Sequence, residues 1–489
     1  MYVTSKTCAV GSLAVLLPEM RVVKWLYDLL VDLRIPGLCE LRLAARESLQ
    51  NAPDAEVTTL KNGLRVACQP AASGTATVGV WIDSGSRYEN EANSGIATFL
   101  EHMIYKGTGK RTQAQLETEL AKIGASLNSF TSREHTAYYA QCPASEVEKT
   151  VDILADVLRN SKFDDATIET ERNVLLRKMQ DAEQNYKDVV FDNMHAAAFQ
   201  GTPLALSPLG TTDAIKNISR RDIVEYAQDH YKPVRMVISG AGAVSHEQLT
   251  QLSEKYFGDL SNEYERKVPT VGGVRFTGSE YRYRNDNIPH MYGAIAVEGV
   301  GLGHPDSLPL KVASALVGQW DVTHTASTNS PSRLVQKVCT ESELVSFESF
   351  SINYKDTGLF GVYLTLEGKS FEDATTIARR IQREWKHLTS AVTDEEVDRA
   401  KAQLKTSFFR SLETSTAKAD DNARQVLYSG NLKTAAELEQ EIERIDAAAV
   451  REAMSRNVYD RDLVCAGVGR TEAWPNYAHL RYGMSWWRL

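Results

Sequence analysis

Past residue 50, alternating apolar residues predict a pair of β-strands. Residues 56–60 and 64–68 alternate apolar and polar side chains, and Asn62 and Gly63 stand between them. An Asn-Gly step between two such runs favours a tight hairpin, because both residues tolerate the positive φ that the turn requires. Another strand is predicted over residues 76–82, a β-branched and aromatic run that ends at a Ser/Gly-rich turn.

Helical periodicity replaces this alternation after residue 90. Apolar side chains recur three and four residues apart in two stretches, which contain Ile96, Phe99, Leu100, Met103 and Ile104, then Leu116, Leu120 and Ile123. Gly124 follows the second stretch, at a position where helices commonly end. The pattern therefore predicts two amphipathic helices after the first strands.

A weak internal duplication divides the chain. Three stretches of the first half have counterparts in the second half in the same order: residues 165–169, 218–226 and 235–240 match residues 393–397, 445–453 and 462–467. One such pair could arise by chance, but pairs in register favour duplication.

The duplication and the chain length set the domain boundaries. A chain of 489 residues is too long for one hydrophobic core. Strands and helices occur in separate runs, which is typical of α+β domains. We therefore predict an N-terminal extension or presequence at 1–50, α+β domains at 51–271 and 288–489, and a polar linker at 272–287.

Composition excludes several classes of function. The net charge of −9 provides no basic field for nucleic acid. The six cysteines are scattered without C-x-x-C spacing, which argues against a disulfide framework or a cysteine zinc site. No apolar run reaches the roughly 20 residues of a spanning helix. Residues 1–50 contain almost as many acidic as basic residues, unlike a transit peptide, although residues 42–48 look like the end of one.

Thr98, Glu101 and His102 are the candidate site. Their spacing of i, i+3 and i+4 places the three side chains on one face of the first predicted helix, where they could converge on one metal ion. By itself a Glu-His pair is weak evidence, since Glu134 and His135 form another, and a solvated helix face would be the usual explanation.

Here the chain resembles the pitrilysin-type zinc peptidases, whose inverted motif reads H-x-x-E-H. The resemblance extends from about residue 55 to the C-terminus and includes residues 93–97, 98–108, 127–137, 199–204 and 483–489. Within the family it is greatest to β-type mitochondrial processing subunits and to first core subunits of the mitochondrial cytochrome bc complex. Residues 317–327 lack the glycine run of the α-type processing subunits. The resemblance implies two homologous domains that form a bowl.

The chain departs from the family motif at two ligand positions. The resemblance assigns Glu101 as a vestigial base, His102 as a vestigial ligand and Glu171 as a supporting carboxylate. Thr98 occupies the first ligand position and Lys178 the distal one, and neither suits zinc. We therefore expect no zinc, no other cofactor and no peptidase activity. Lys178 is expected to pair with Glu101, and a weak rearranged metal site that uses Asp181 is the alternative.

The resemblance implies three candidate functions. The first is a structural core subunit of complex III, on the matrix side of the mitochondrial inner membrane, with the second core protein, cytochrome b, the cytochrome c subunit and the Rieske protein as partners. The second is the β subunit of the processing peptidase, which would need an intact ligand set. The third is an inactive chamber that holds a basic presequence peptide between core subunits. Trp486 and Trp487 are either core residues or partner anchors.

Overall fold

In the computed structural model, the predicted hairpin forms at Asn62 and Gly63. β1 (Glu56–Thr59) pairs antiparallel with β2 (Arg65–Pro70). Gly63 has a φ of 85°, in the left-handed region that glycine adopts without a Cβ clash. The Asn62 side-chain oxygen accepts a hydrogen bond from the Leu64 backbone N–H at 3.2 Å. The turn prediction is confirmed.

The structure describes residues 53–264, 266, 268–323, 328–341 and 343–485. These residues belong to one compact unit, Pro53–Leu489. The predictions for residues 1–50, Trp486 and Trp487 lie outside the described residues. No helix within the described ranges is long and apolar enough to cross a membrane.

The first half contains a mixed β-sheet with helices. Its other strands are β3 (Thr75–Ile82), β4 (Ser126–Thr131), β5 (Thr136–Pro143) and β6 (Met236–Gly242). The strand order is β1-β2-β6-β3-β5-β4, in which β2 and β6 are parallel and the other neighbours antiparallel. Its helices are α1 (Ile96–Met103), α2 (Gln113–Ile123), α3 (Val147–Arg159), α4 (Asp165–Ala182), α5 (Tyr186–Ala198), α6 (Thr212–Asn217), α7 (Arg220–His230) and α8 (His246–Phe257).

The predicted helices after β3 are α1 and α2. Thr112 caps α2 by accepting from the Gln115 N–H, and the Gln115 side chain accepts from the Thr112 N–H in return. This reciprocal pair satisfies two of the donors that a helix N-terminus leaves free. Gly124 ends α2 with a φ of 67°, as the sequence predicted.

The second half repeats the sheet. Its strands are β7 (Glu280–Arg284), β8 (Met291–Val300), β9 (Gln319–Asp321), β10 (Leu344–Asn353), β11 (Thr357–Leu366) and β12 (Leu463–Gly469). They lie in the order β7-β12-β8-β11-β10-β9, with β7 and β12 parallel and the other neighbours antiparallel. The parallel pair β2·β6 of the first half corresponds to β7·β12. The predicted duplication and the α+β class are confirmed.

The remaining helices follow β8. They are α9 (Ser307–Val317), α10 (Arg333–Val338), α11 (Phe371–Ser390), α12 (Asp394–Ser411), α13 (Ser415–Ser429), α14 (Ala435–Glu443), α15 (Ala447–Asn457) and α16 (Tyr477–Tyr482). Most pack against one face of the second sheet around a core that includes Ile295, Phe360 and Trp385.

The predicted linker at 272–287 needs a correction. Its second part contains β7, which pairs with β12 and therefore belongs to the second sheet. β7 is an edge strand whose residues are half-buried or exposed. Polar, Tyr- and Arg-rich edge strands cover little core, so their composition resembles that of a linker.

Each half contributes one helix to the sheet of the other half. α13 lies against β2, β3 and β6, where Ala419, Ala423 and Val426 contact Ala67 and Trp81. α5 lies against β7, β8 and β12, where Val190 and Met194 join a cluster with residues of the second sheet. The two halves therefore share buried apolar surface on the face of each sheet opposite its own helices.

An ionic cluster built on the buried Arg87 and Glu134 also joins the halves. Arg87 donates to Glu134 in the first half and to Asp356 of the second half, the latter at 2.6 Å. Glu134 also accepts from the Lys355 backbone N–H at 3.1 Å through each oxygen. The side chains of Arg87 and Glu134 are 1% and 8% exposed. The charges of Arg87 and Glu134 are therefore compensated by partners rather than by water, whereas Asp356 is partly exposed.

We expect Glu134→Ala to lower the free energy of unfolding by about 1.5–3 kcal/mol, because the buried Arg87 guanidinium loses a charge-assisted hydrogen bond and keeps only Asp356 as a carboxylate partner. Urea denaturation followed by circular dichroism measures this. Glu91→Ala is the control: Glu91 is exposed, and its loss should change stability by at most about 0.5 kcal/mol. Equal effects of the two substitutions would contradict the proposed role of the cluster.

Candidate functional site

Glu89 fixes the start of α1, the helix that carries the candidate site. Gly95 precedes the helix with a φ of 89° and has no side chain to cap it. The buried Glu89 carboxylate accepts from the backbone N–H groups of Gly95 at 2.7 Å and Ala97 at 2.9 Å. Burial raises the pKa of the Glu89 carboxyl to about 7, although these two hydrogen bonds act in the opposite direction.

The register of α1 then determines which side chains reach the site. Phe99, Leu100 and Met103 are buried in the first core. Glu101 points towards the edge strand β4, where it accepts from the Ser129 hydroxyl at 3.0 Å and the Thr131 hydroxyl at 2.6 Å. The Glu101 carboxylate is therefore held by two neutral donors.

His102 lies between a carboxylate and an ammonium group. Its Nδ1 is 3.6 Å from a Glu171 oxygen, and its Nε2 is 3.1 Å from the Lys178 ammonium. Burial lowers the pKa of His102, and the Lys178 charge lowers it further. The network therefore favours a neutral imidazole that carries its proton on Nδ1 and accepts from Lys178 at Nε2.

Glu171 pairs with a lysine that the sequence analysis missed. Its carboxylate is 2.8 Å from the Lys106 ammonium, and its side chain is buried. Lys106 lies four residues after His102, so the helical spacing was the signal that could have identified it. Ser129 and Thr131 alternate on one strand, and this spacing of two was the corresponding signal for the donors to Glu101.

The expected ion pair between Lys178 and Glu101 is not the one that forms. Lys178 reaches His102, whereas Glu101 is held by hydroxyl groups of β4. The reason is the packing of α4 against α1, which places the Lys178 ammonium next to Nε2 of His102. Residues 102 and 178 lie on two helices that are far apart in the sequence. The spacing within either helix therefore cannot predict which side chains meet between them.

The atoms at the positions of the metal ligands do not fit a zinc ion. The Thr98 hydroxyl donates to the Pro208 carbonyl at 2.5 Å. The lone pair of His102 Nε2 faces the Lys178 ammonium. Two carboxylates, of Glu101 and Glu171, are matched by two ammonium groups, of Lys106 and Lys178, so these four groups sum to zero charge. A dication would find no excess negative charge here.

No group of three or more His, Cys, Asp or Glu side chains that could hold a metal is present among the described residues. Asp181, the alternative ligand, is exposed near the end of α4. Its side chain forms no ion pair or hydrogen bond with the site residues in the described part of the chain.

Glu134 and His135, the second Glu-His pair of the sequence, are both buried. Glu134 takes part in the ionic cluster between the halves. His135 Nδ1 lies 2.7 Å from the Tyr428 hydroxyl of α13. This second Glu-His pair is therefore part of the contact between halves and not a second catalytic motif.

Fold and site together define a class: a duplicated α+β protein of the inverted-motif metallopeptidase type whose donor set does not fit zinc. Residues 65–212 match the Insulinase (Peptidase family M16) domain. Residues 217–404 match the Peptidase M16 inactive domain. The chain belongs to the M16 peptidase family.

Relatives of two kinds are similar over nearly the whole chain. Cytochrome b-c1 complex subunit 1, mitochondrial, of Caenorhabditis elegans is 57% identical over 91% of this chain and 95% of the relative. Mitochondrial-processing peptidase subunit beta of Homo sapiens is 43% identical over 91% and 90%. A chain in the solved structure of complex III2 from Candida albicans with Inz-5 bound has a TM-score of 0.79 and 27% identity, over 88% of this chain and 100% of that one.

We expect Glu89 to make stability depend on pH. Its pKa is about 7 in the folded chain and near 4.5 when unfolded. Between these values the folded state binds more protons, so its contribution to stability is complete below about pH 4.5 and is lost as pH rises to about 7. Urea midpoints of the wild type and Glu89→Gln, measured from pH 5 to pH 8, should show a smaller decrease in the variant. Parallel curves would contradict this assignment.

Proposed function

We propose that this chain is core subunit 1 of mitochondrial ubiquinol:cytochrome c reductase, complex III, and that it has a structural role without peptidase activity. The observation that carries the proposal is the 57% identity to subunit 1 of the cytochrome b-c1 complex over nearly the full length of both chains. The greater identity to this subunit than to the processing peptidase subunit, at 43%, favours the same assignment.

The site geometry supports the absence of catalysis. A zinc peptidase needs three protein ligands and a metal-bound water for its general base to activate. Here the Thr98 hydroxyl is hydrogen-bonded to the Pro208 carbonyl, and the Lys178 ammonium is hydrogen-bonded to Nε2 of His102, the nitrogen that would bind a metal. Glu101 keeps its carboxylate, but its two oxygens are occupied by Ser129 and Thr131.

The proposed role implies particular neighbours. The chain would lie on the matrix side of the mitochondrial inner membrane as a peripheral subunit. It would pair with the second core protein and support cytochrome b, the cytochrome c subunit and the Rieske protein. An inter-core cavity that holds a presequence peptide remains a separate hypothesis, in which Glu101 and Glu171 would attract a basic segment. The ammonium groups of Lys106 and Lys178 weaken that attraction.

The second candidate function is the β subunit of the mitochondrial processing peptidase. The identity to the human subunit and the retained Glu101 and His102 favour it. It requires a zinc site, and the donors at Thr98 and Lys178 do not supply one.

Native electrophoresis of mildly solubilised mitochondria separates the two functions. We expect this chain to migrate with cytochrome b and the Rieske protein, because a core subunit is an integral part of the complex. An antibody against the α-type processing subunit is the control for the alternative assembly. Migration with that subunit, and without cytochrome b, would reverse the assignment.

Metal content and cleavage test the loss of catalysis. We expect the unmodified chain to contain less than stoichiometric zinc and to leave presequence peptides intact when it is assayed with an α-type processing subunit. The double variant Thr98→His/Lys178→Glu should gain zinc, because it restores a nitrogen and a carboxylate ligand and removes the ammonium group. Elemental analysis and a fluorogenic peptide measure both properties.

The single variant Lys178→Glu is the control for this experiment, since it frees His102 but leaves Thr98 in place. Its zinc content should be higher than that of the unmodified chain and lower than that of the double variant. Stoichiometric zinc in the unmodified chain, with cleavage as fast as in the double variant, would show that the chain is an enzyme.

A further inference from the structure

A cavity of about 530 Å³ lies beside α1, between α7, the ends of α3 and α8, and residues 160–163. Leu100 and Ile104 of the α1 region line it, whereas Glu101 and His102 face the site described above. The cavity is therefore separate from the degenerate site but shares a helix with it. Its volume is in the range of about 300–1,000 Å³ that is usual for small-molecule sites.

The inner wall of the cavity is apolar. Leu158, Phe163 and Leu260 line it and are half-buried, so each presents some apolar surface to the cavity. Val224 of α7 continues this surface towards solvent. A hydrocarbon chain placed here would lose contact with water at about 25 cal/mol per Å² of apolar surface buried.

The charged residues of the lining are all cations. Arg159, Lys162, Arg220 and Lys232 line the cavity, and none of the described residues that line it is Asp or Glu. This concentration of positive charge occurs in a chain of net charge −9. The local field therefore favours an anion, although the protein as a whole repels one.

Three of these cations have no carboxylate partner among the described residues, and one of the three, Lys232, donates to the Glu263 backbone carbonyl at 2.8 Å. Arg159 is paired with Asp259 at 2.7 Å. The ammonium of Lys162, which is exposed, forms no ion pair or hydrogen bond with any residue that the structure describes. Arg220 donates its Nε to the Phe163 carbonyl at 2.8 Å and has no carboxylate partner among the described residues. Lys162 and Arg220 are therefore positioned to meet a carboxylate.

Hydrogen bonds fix the conformation of residues 161–163, the segment of the cavity wall that contains Lys162. The Lys162 N–H donates to the Gly107 carbonyl at 3.2 Å, and the Ser161 hydroxyl donates to the Val157 carbonyl at 2.7 Å, with the Ile104 carbonyl also near it at 3.1 Å. Phe163 adopts a φ of 53°, which few non-glycine residues do, and Arg220 holds its carbonyl. A wall fixed in this way loses little conformational entropy when a ligand binds.

We propose that this cavity binds a single-chain amphiphile with a carboxylate head, of the fatty acid class. The hydrocarbon chain lies against Leu158, Phe163 and Val224, and the carboxylate meets Lys162 and Arg220 at the mouth. A small inorganic anion would leave the apolar wall exposed to water, and a fatty alcohol would leave the cations without a counter-charge. The combination of both surfaces therefore selects an anionic amphiphile.

Photolabelling tests the proposal on the full-length chain in its native assembly. The probe is decanoate with a diazirine near the end of its hydrocarbon chain, and peptide mass spectrometry locates the label. We expect the label in residues 158–163 or 220–236, and we expect unlabelled decanoate to compete for the site. The matching diazirine alcohol, without the charge, should label these peptides several-fold less.

Lys162→Glu should reduce labelling by about five- to tenfold, the effect of a solvent-screened charge reversal at the mouth. Lys216→Glu is the matched control, because Lys216 is equally an exposed lysine, does not line the cavity, and should leave labelling unchanged. Inorganic phosphate should not compete. Label outside the two segments, equal labelling by the alcohol, competition by phosphate, or equal effects of the two substitutions would overturn the proposal.

Discussion

The exchange of α5 and α13 between the halves is the contact on which the rest of the structure depends. Each sheet has two faces to bury, and its own helices cover only one of them. The second face is covered by a helix from the other half, through alanines and larger aliphatic side chains such as Val190, Met194 and Val426. Neither sheet could leave that face in water without a large free-energy cost. The cluster of Arg87, Glu134 and Asp356 aligns the halves beside this shared surface.

This arrangement explains why the degenerate site is retained as a structural unit. α1 is held at its start by Glu89 and along one face by the core, so its other face stays in register. Glu101 and His102 then find partners in Ser129, Thr131, Glu171 and Lys178 without a metal ion. Hydrogen bonds and opposite charges satisfy the groups that lie there. The helix can thus contribute to stability whether or not the site performs chemistry.

Much of the fold was predictable from local patterns. The Asn62–Gly63 turn, the α1 and α2 periodicity and the duplication all depend on residues close in sequence or on repeated order. β7 was predicted as part of a linker because an edge strand needs few apolar residues. At the site, the spacing of Thr98, Glu101 and His102 placed them on one helix. Lys106 was missed, although its spacing from His102 was visible.

The sequence by itself determined the first hairpin, α1 and α2, the repeat and the chemical types of the site residues, because these follow from short-range periodicity and side-chain identity. Only the tertiary structure decided that Lys178 contacts His102 rather than Glu101, and that Lys106 pairs with Glu171. It also decided which helix covers which sheet. Such contacts join residues far apart in the chain, and their free energy depends on burial and distance, which no local pattern contains.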